Sequence, residues 1–142
     1  MADTDMTDDE RDAFLSDVHV GVLAIERSDK GPLALPVWYE YADGDILITM
    51  ANDSAKAKLL RRFGRASLTV QDERVPYRYV SAEGPVTVSQ EAYDISDLAT
   101  HYLGAELGAR YAAANPPNPN TAVVRLTPER WLTCDYGKVG LV

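Results

Sequence analysis

The sequence predicts a mainly β fold of the α+β class: an antiparallel barrel of six to seven strands, with an inserted basic helix and a second helix late in the chain. Three observations predict it. Short runs rich in β-branched and aromatic residues are linked by turn signals close enough for hairpins. Internal helical spacing appears in two places only, after the third strand and near residue 100, rather than between every pair of strands. One long strand is interrupted by Gly84-Pro85, a dipeptide that marks a bend where a strand leaves one side of a barrel for another.

Taken in order, Thr7-Asp8-Asp9-Glu10 is a capping box that opens a short helix from about Asp8 to Ser16, with acids beside its positive end. Val18 to Glu26 reads as the first strand, and Ser28-Asp29-Lys30-Gly31 as a turn. Leu33 to Tyr41 is the second strand, with Leu33, Leu35, Val37, Tyr39 and Tyr41 on one face. Pro36 cannot donate to a ladder, so this strand lies at an edge, a bulge or a break in pairing. Asp43-Gly44 turns the chain into Ile46 to Met50, the third strand. Ser54 caps the basic helix, Leu59, Leu60 and Phe63 form its apolar stripe, and Gly64 ends it. Ala66 to Val70 is the fourth strand, Gln71 to Pro76 a polar loop, and Tyr77 to Ser89 the long strand. Tyr93 to Ala114 reads as one long helix, followed by the rigid loop Asn115-Pro116-Pro117-Asn118-Pro119-Asn120. Ala122 to Leu126 and Trp131 to Asp135 complete the strands.

The 142 residues predict one domain, 1–142, large enough to bury a real core. A formal net charge of -8 argues against nucleic acid and anionic membranes as partners. No apolar run approaches the ~20 residues of a membrane span. The acidic start, Met1 to Asp12, lacks the order of a signal peptide, and one cysteine, Cys134, excludes an internal disulfide. These features predict a cytoplasmic protein.

Conventional catalytic signatures are absent. Neither GxGxxG nor GxxxxGK[ST] occurs. His19, His101 and Cys134 are too few for a zinc site, and each histidine reads as structural or surface. No carboxylate pair stands out, so the chain either binds without catalysing or leaves the chemistry to a cofactor. Against this background, Lys56, Lys58, Arg61, Arg62 and Arg65 reverse the local sign, with no acid from Ser54 until Asp72. Lys56 and Lys58 fall in the first helical turn, where the macrodipole disfavours cations. Two readings stand: an anion held by backbone N–H groups, a hydroxyl and ammonium ions, or a solvated basic face.

The order of parts resembles the flavin and deazaflavin oxidoreductases of the pyridoxamine 5'-phosphate oxidase superfamily, and most closely its actinobacterial group that uses coenzyme F420 in place of FMN. The resemblance covers nearly the whole chain. It is carried by Val20-Gly21-Val22-Leu23-Ala24, Leu35-Pro36-Val37-Trp38-Tyr39, Asp43 to Thr49, Ser54 to Arg62, Arg65-Ala66-Ser67-Leu68 and Ala82-Glu83-Gly84. Two departures are Leu59-Leu60-Arg61-Arg62-Phe63-Gly64 for Asn-Leu-Arg-Arg-Asp-Pro, and Cys134 where the family has tryptophan before Asp135.

The resemblance implies a split β-barrel and a homodimer with the cofactor site at the interface. It places the cofactor phosphate on Lys56, with Ser54, Lys58 and Arg61 nearby and Thr49 and Met50 on the third strand. The ring would lie along Pro36, Val37 and Trp38, where a proline-interrupted strand leaves backbone groups free. For Trp38 and Thr49 the plain alternatives are packing and an ordinary strand position. Tyr79, Trp131, Tyr136 and Lys138 are expected in the second wall, and Arg61, Arg62 or Arg65 would meet an oligoglutamate tail. The implied reaction is hydride transfer between the ring's C5 and a small organic acceptor, with the protein supplying orientation and a dry pocket. Use of FMN on the same fold, and non-catalytic binding of a flavin, deazaflavin or tetrapyrrole, are the competing expectations.

Overall fold

The computed structural model describes residues 2–140. It contains helices α1 (Asp8–Ser16), α2 (Ala55–Phe63), α3 (Ser96–Leu103) and α4 (Ala105–Ala114), and a closing 3-10 turn, Tyr136–Val139. The strands are β1 (Gly21–Ile25), β2 (Leu33–Val37), β3 (Glu40–Ala42), β4 (Asp45–Ala51), β5 (Arg65–Asp72), β6 (Arg78–Gln90), β7 (Thr121–Leu126) and β8 (Arg130–Asp135). The pairing order is β2-β1-β5-β6-β7-β4-β3, with β8 also on β6, and each pair is antiparallel. The two ends of this path, β2 and β3, are separated in the chain only by Trp38 and Tyr39. A link that short spans at most ~11 Å, so the sheet must curl until its ends meet. This is a split-barrel α+β fold.

Local chemistry sets the elements. Thr7 Oγ1 accepts from the Glu10 N–H at 3.2 Å, and the Glu10 carboxylate accepts from the Thr7 N–H at 2.8 Å, so the predicted capping box forms and α1 has the predicted bounds. Leu23, Ile25, Ile46, Ile48, Leu68, Val70, Val80, Val124 and Leu126 point inward and are almost fully buried. Ala57 and Leu60 of α2 join this core, and the helix packs against β1, β4 and β6. Among the described residues, no helix is long and apolar enough to cross a membrane.

The long strand β6 shows why Gly84-Pro85 stands where it does. One edge pairs β5 from Arg78 to Pro85. The other edge pairs β8 up to Glu83 and β7 from Val86 onward, so the dipeptide marks the change of partner. A Cβ on Gly84 would lie 2.0 Å from the Thr127 carbonyl oxygen.

Four expectations are revised. The first strand begins at Gly21 rather than Val18. The predicted second strand is two, β2 and β3, because its pairing partner changes at Trp38-Tyr39 while both halves face the same core. The described residues therefore form eight strands. The late helix is also two: Gly104, at φ 86°, breaks it, and the halves fold back together. A Cβ at Gly108 would come within 2.7 Å of the Thr100 Cα, so glycine permits that close approach. This helical excursion leaves β6 at Gln90 and returns beside it at Ala122, where Glu91 N–H donates to the Thr121 carbonyl at 2.9 Å.

Tyr102 of α3 fastens the seam. Its hydroxyl accepts from the Tyr39 N–H at 3.1 Å and donates to the His19 carbonyl at 2.7 Å. The His19 ring is buried and stacked on Phe14 at 4.4 Å, with the Arg78 guanidinium 4.9 Å from the Phe14 centroid. His19 Nε2 is buried without a hydrogen-bond partner among the described residues, so this histidine is structural but not satisfied there. Burial holds its pKa below the usual value, against the attraction of Asp17 and Asp72 and with the repulsion of Arg78 and Arg74. The unfolded chain therefore takes up the proton first as pH falls below about 6.5. Stability is expected to fall across that acid range, before carboxylates titrate, and His19→Leu is expected to flatten the slope of melting temperature between about pH 6.5 and 5. A second acid limb belongs to Asp72, which the Arg74 and Arg78 guanidiniums hold well below the carboxylate range. Its contribution is present above about pH 4 and is lost below it.

Candidate functional site

The corner where β4 passes into α2 collects most of the predicted residues. Ser54 is the N-cap, and its Oγ accepts from the Ala57 N–H at 3.2 Å. That bond leaves the hydroxyl hydrogen available to an outside acceptor. Ser54 N–H donates to the Ala51 carbonyl at 3.0 Å, which turns the chain sharply out of the strand. Asn52 N–H donates to the Asn120 carbonyl at 2.9 Å and ties this turn to the proline loop. Arg61 reaches back to the Asn52 carbonyl at 3.0 Å and also bonds the Asn52 side-chain oxygen, so it braces the turn.

The cations divide by partner. Arg65 pairs with Glu129 at 2.7 Å, and Arg61 is engaged by Asn52. The Arg62 guanidinium lies 5.1 Å from the Phe63 ring centroid. Lys56, half-buried, and Lys58, exposed, occupy the first turn, and neither they nor Arg62 have a carboxylate partner among the described ion pairs. No acid lies in that turn. Two ammonium groups at the positive end of a helix are mutually unfavourable unless an anion joins them. This donor set (two ammonium ions, a free hydroxyl hydrogen and the opening N–H groups of α2) fits a phosphate monoester or diester.

Thr49 faces outward from β4 opposite Val123, whereas the Met50 side chain is largely in the core opposite Ala122. Thr49, Ala51, Tyr93, Tyr111 and the proline loop border an open groove of about 610 Å³. Tyr93, which also donates to the Glu40 carboxylate at 3.3 Å, has its pKa pushed up to about 12 by burial and by that carboxylate.

Pro36, Val37 and Trp38 stand on β2 and on the link that follows it. Pro36 is exposed on an edge strand opposite Val22, the position that its missing N–H requires. Trp38 packs: its ring lies parallel to Tyr102 at 4.7 Å and tilts against Tyr111 at 5.3 Å. Of the residues expected in a second wall, Lys138 pairs with Glu10 at 2.6 Å and Trp131 lies beneath the Arg11 guanidinium at 4.2 Å. Tyr79 stands opposite Cys134, and Tyr136 opens the 3-10 turn. Tyr102 and Tyr111 were not anticipated from the sequence. Their only signal there is a pair of tyrosines flanking Gly104 and Gly108.

The family profile described as pyridoxamine 5'-phosphate oxidase matches residues 7–135. The chain belongs to the pyridoxamine 5'-phosphate oxidase family. No curated protein matches it. Among solved structures, the conserved hypothetical protein Rv2991 of Mycobacterium tuberculosis superposes with a TM-score of 0.82 at 26% identity, covering 100% of this chain and 92% of the other. An F420 reductase gives 0.64 at 18% identity, covering 85% and 94%. A FAD-binding protein of Mesorhizobium loti gives 0.66 at 16%, covering 90% and 94%. The last two likenesses are of fold.

Proposed function

We propose that this protein is an F420-dependent oxidoreductase that passes reducing equivalents between the deazaflavin and a small organic acceptor. The observation that carries the reading is the pair Lys56 and Lys58, beside Ser54, at a helix start without a carboxylate. Lys56, Ser54 and the α2 amides would hold the phosphate, Arg61 keeps the turn in shape, and Thr49 offers a hydroxyl from β4. Pro36 to Trp38 would carry the ring, with Trp38 held flat by Tyr102. Arg62 is the cation free to meet an anionic tail, since Arg61 and Arg65 are engaged within the chain. When bound, the group supplies two-electron redox chemistry. The chain's own residues bind, orient and exclude water. An F420 reductase and a FAD-binding protein both share this fold, which supports a flavin-type cofactor.

The test is titration of the purified protein with F420 and with FMN, followed by assay of reduced F420 against quinones, enones and bilins. Tight F420 binding with turnover is the expected result. Preference for FMN would move the protein to the flavin branch, and binding without turnover would make it a carrier.

The same reading includes a homodimer. The outward faces of β2, β1, β5, β6 and β8 align Pro36, Val22, Thr69, Ser81 and Leu132 in one row. Val22 is 44% exposed and Leu132 60%, with Val18 and Val20 exposed beside them. A contiguous face of small and apolar side chains fits a second copy of itself. Leu132→Asp is expected to convert the dimer to monomer at micromolar concentration, read by light scattering. A wild-type chain that is already monomeric would remove this part of the proposal.

A further inference from the structure

We propose that the groove between the outer face of β4 and the proline loop binds an uncharged, planar organic molecule, and that this molecule is the acceptor. The first half stands by itself; the second rests on the oxidoreductase reading above. The groove's volume of about 610 Å³ suits a small molecule. Its chemistry sets it apart from the rest of the surface. A quarter of the chain's residues are charged, yet no Asp, Glu, Lys, Arg or His lines the groove.

The lining instead combines flat and polar-neutral groups. Tyr93 and Tyr111 give ring surfaces, the three prolines of the loop give rigid apolar walls without N–H groups, and the asparagines between them give neutral amide donors and acceptors. Planar ligands gain offset or edge contacts from such rings, while an ion entering here would lose water and find no charged side chain on the lining to bond. Tyr111 in turn touches Trp38, which is stacked on Tyr102. An unbroken aromatic ladder therefore joins the groove to the strand assigned to the cofactor ring.

Equilibrium dialysis of the cofactor-free protein with three probes of one shape tests the proposal: 2-naphthol, naphthalene-2-sulfonate and 2-naphthylmethylammonium. The neutral probe is expected to bind at least ~10-fold more tightly than either ion. Tyr111→Ala should weaken 2-naphthol by roughly 5- to 10-fold. Ala114→Lys, on an exposed lining position, should shift the ratio toward the sulfonate. Equal affinity for all three probes, or ratios unmoved by Ala114→Lys, would overturn the groove assignment. The acceptor half is read from turnover: Ala114→Lys should favour anionic acceptors, and unchanged selectivity would remove it. Because dialysis needs no cofactor, failure of the cofactor assignment would leave the groove result standing.

Discussion

Replacing Lys56 with alanine is expected to weaken cofactor binding by about 1.5–3 kcal/mol, or roughly 10- to 150-fold in Kd. The size follows from position. Lys56 is half-buried in the first turn of α2, so its ammonium meets a phosphate under less solvent screening than a surface lysine would. Lys58 is exposed, and Lys58→Ala should cost about half as much or less. Raising the salt concentration should erode the Lys58 effect first, because exposed charges are screened within ~10 Å at 0.1 M. Calorimetric titration of wild type and both variants with F420 measures these differences. Wild-type affinity in Lys56→Ala would sink the phosphate assignment, and with it the cofactor reading.

Gly84→Ala is expected to lower stability by roughly 2–4 kcal/mol, a fall in melting temperature of about 8–15 °C. The added methyl group would meet the Thr127 carbonyl oxygen at 2.0 Å and the Glu129 nitrogen at 3.0 Å, and both are backbone atoms. Neither can rotate away as a side chain would. Their segment is fixed on both sides of the glycine, since Thr127 N–H donates to the Pro85 carbonyl at 3.0 Å and Glu129 N–H to the Glu83 carbonyl at 2.8 Å. Relief therefore requires breaking the turn that hands β7 over to β8. Gly31 is the control: nothing lies within 4 Å of its Cβ position, and Gly31→Ala should be neutral or slightly stabilising. Equal melting curves for the two variants would show that the 127–129 turn yields cheaply.

What the sequence revealed depended on whether a signal was local. The Thr7–Glu10 box fixed the start of a helix because the partners lie within one turn of chain. The Gly84-Pro85 bend was legible for the same reason. The break after Val37 was not, because Leu33, Leu35, Val37, Tyr39 and Tyr41 keep one period while the pairing partner changes. Periodicity reports which side is buried, not which strand lies alongside. Gly104 was passed over since one glycine inside a helical pattern is tolerated, and only the close approach at Gly108 shows that the helix doubles back. The cationic corner stood out by its sign. The groove did not, because Thr49, Tyr93, Tyr111 and the proline loop are neutral and come from separate stretches of chain. The buried, unpartnered His19 was likewise invisible in an alternating strand pattern.

The ladder between β6 and β7 closes at Gln90 and Ala122 whatever lies between them, so the sheet sees residues 92–120 as the tip of a hairpin. The strand ladders are built without that cassette, which is pinned to the barrel through Tyr102, Tyr93, Tyr111 and Asn120 and furnishes one bank of the groove. Selectivity can thus drift by exchange or lengthening of a connector while the load-carrying ladder stays in register. A graft retaining the seam tyrosine together with the Tyr93 and Asn120 anchors is the direct way to retool this scaffold.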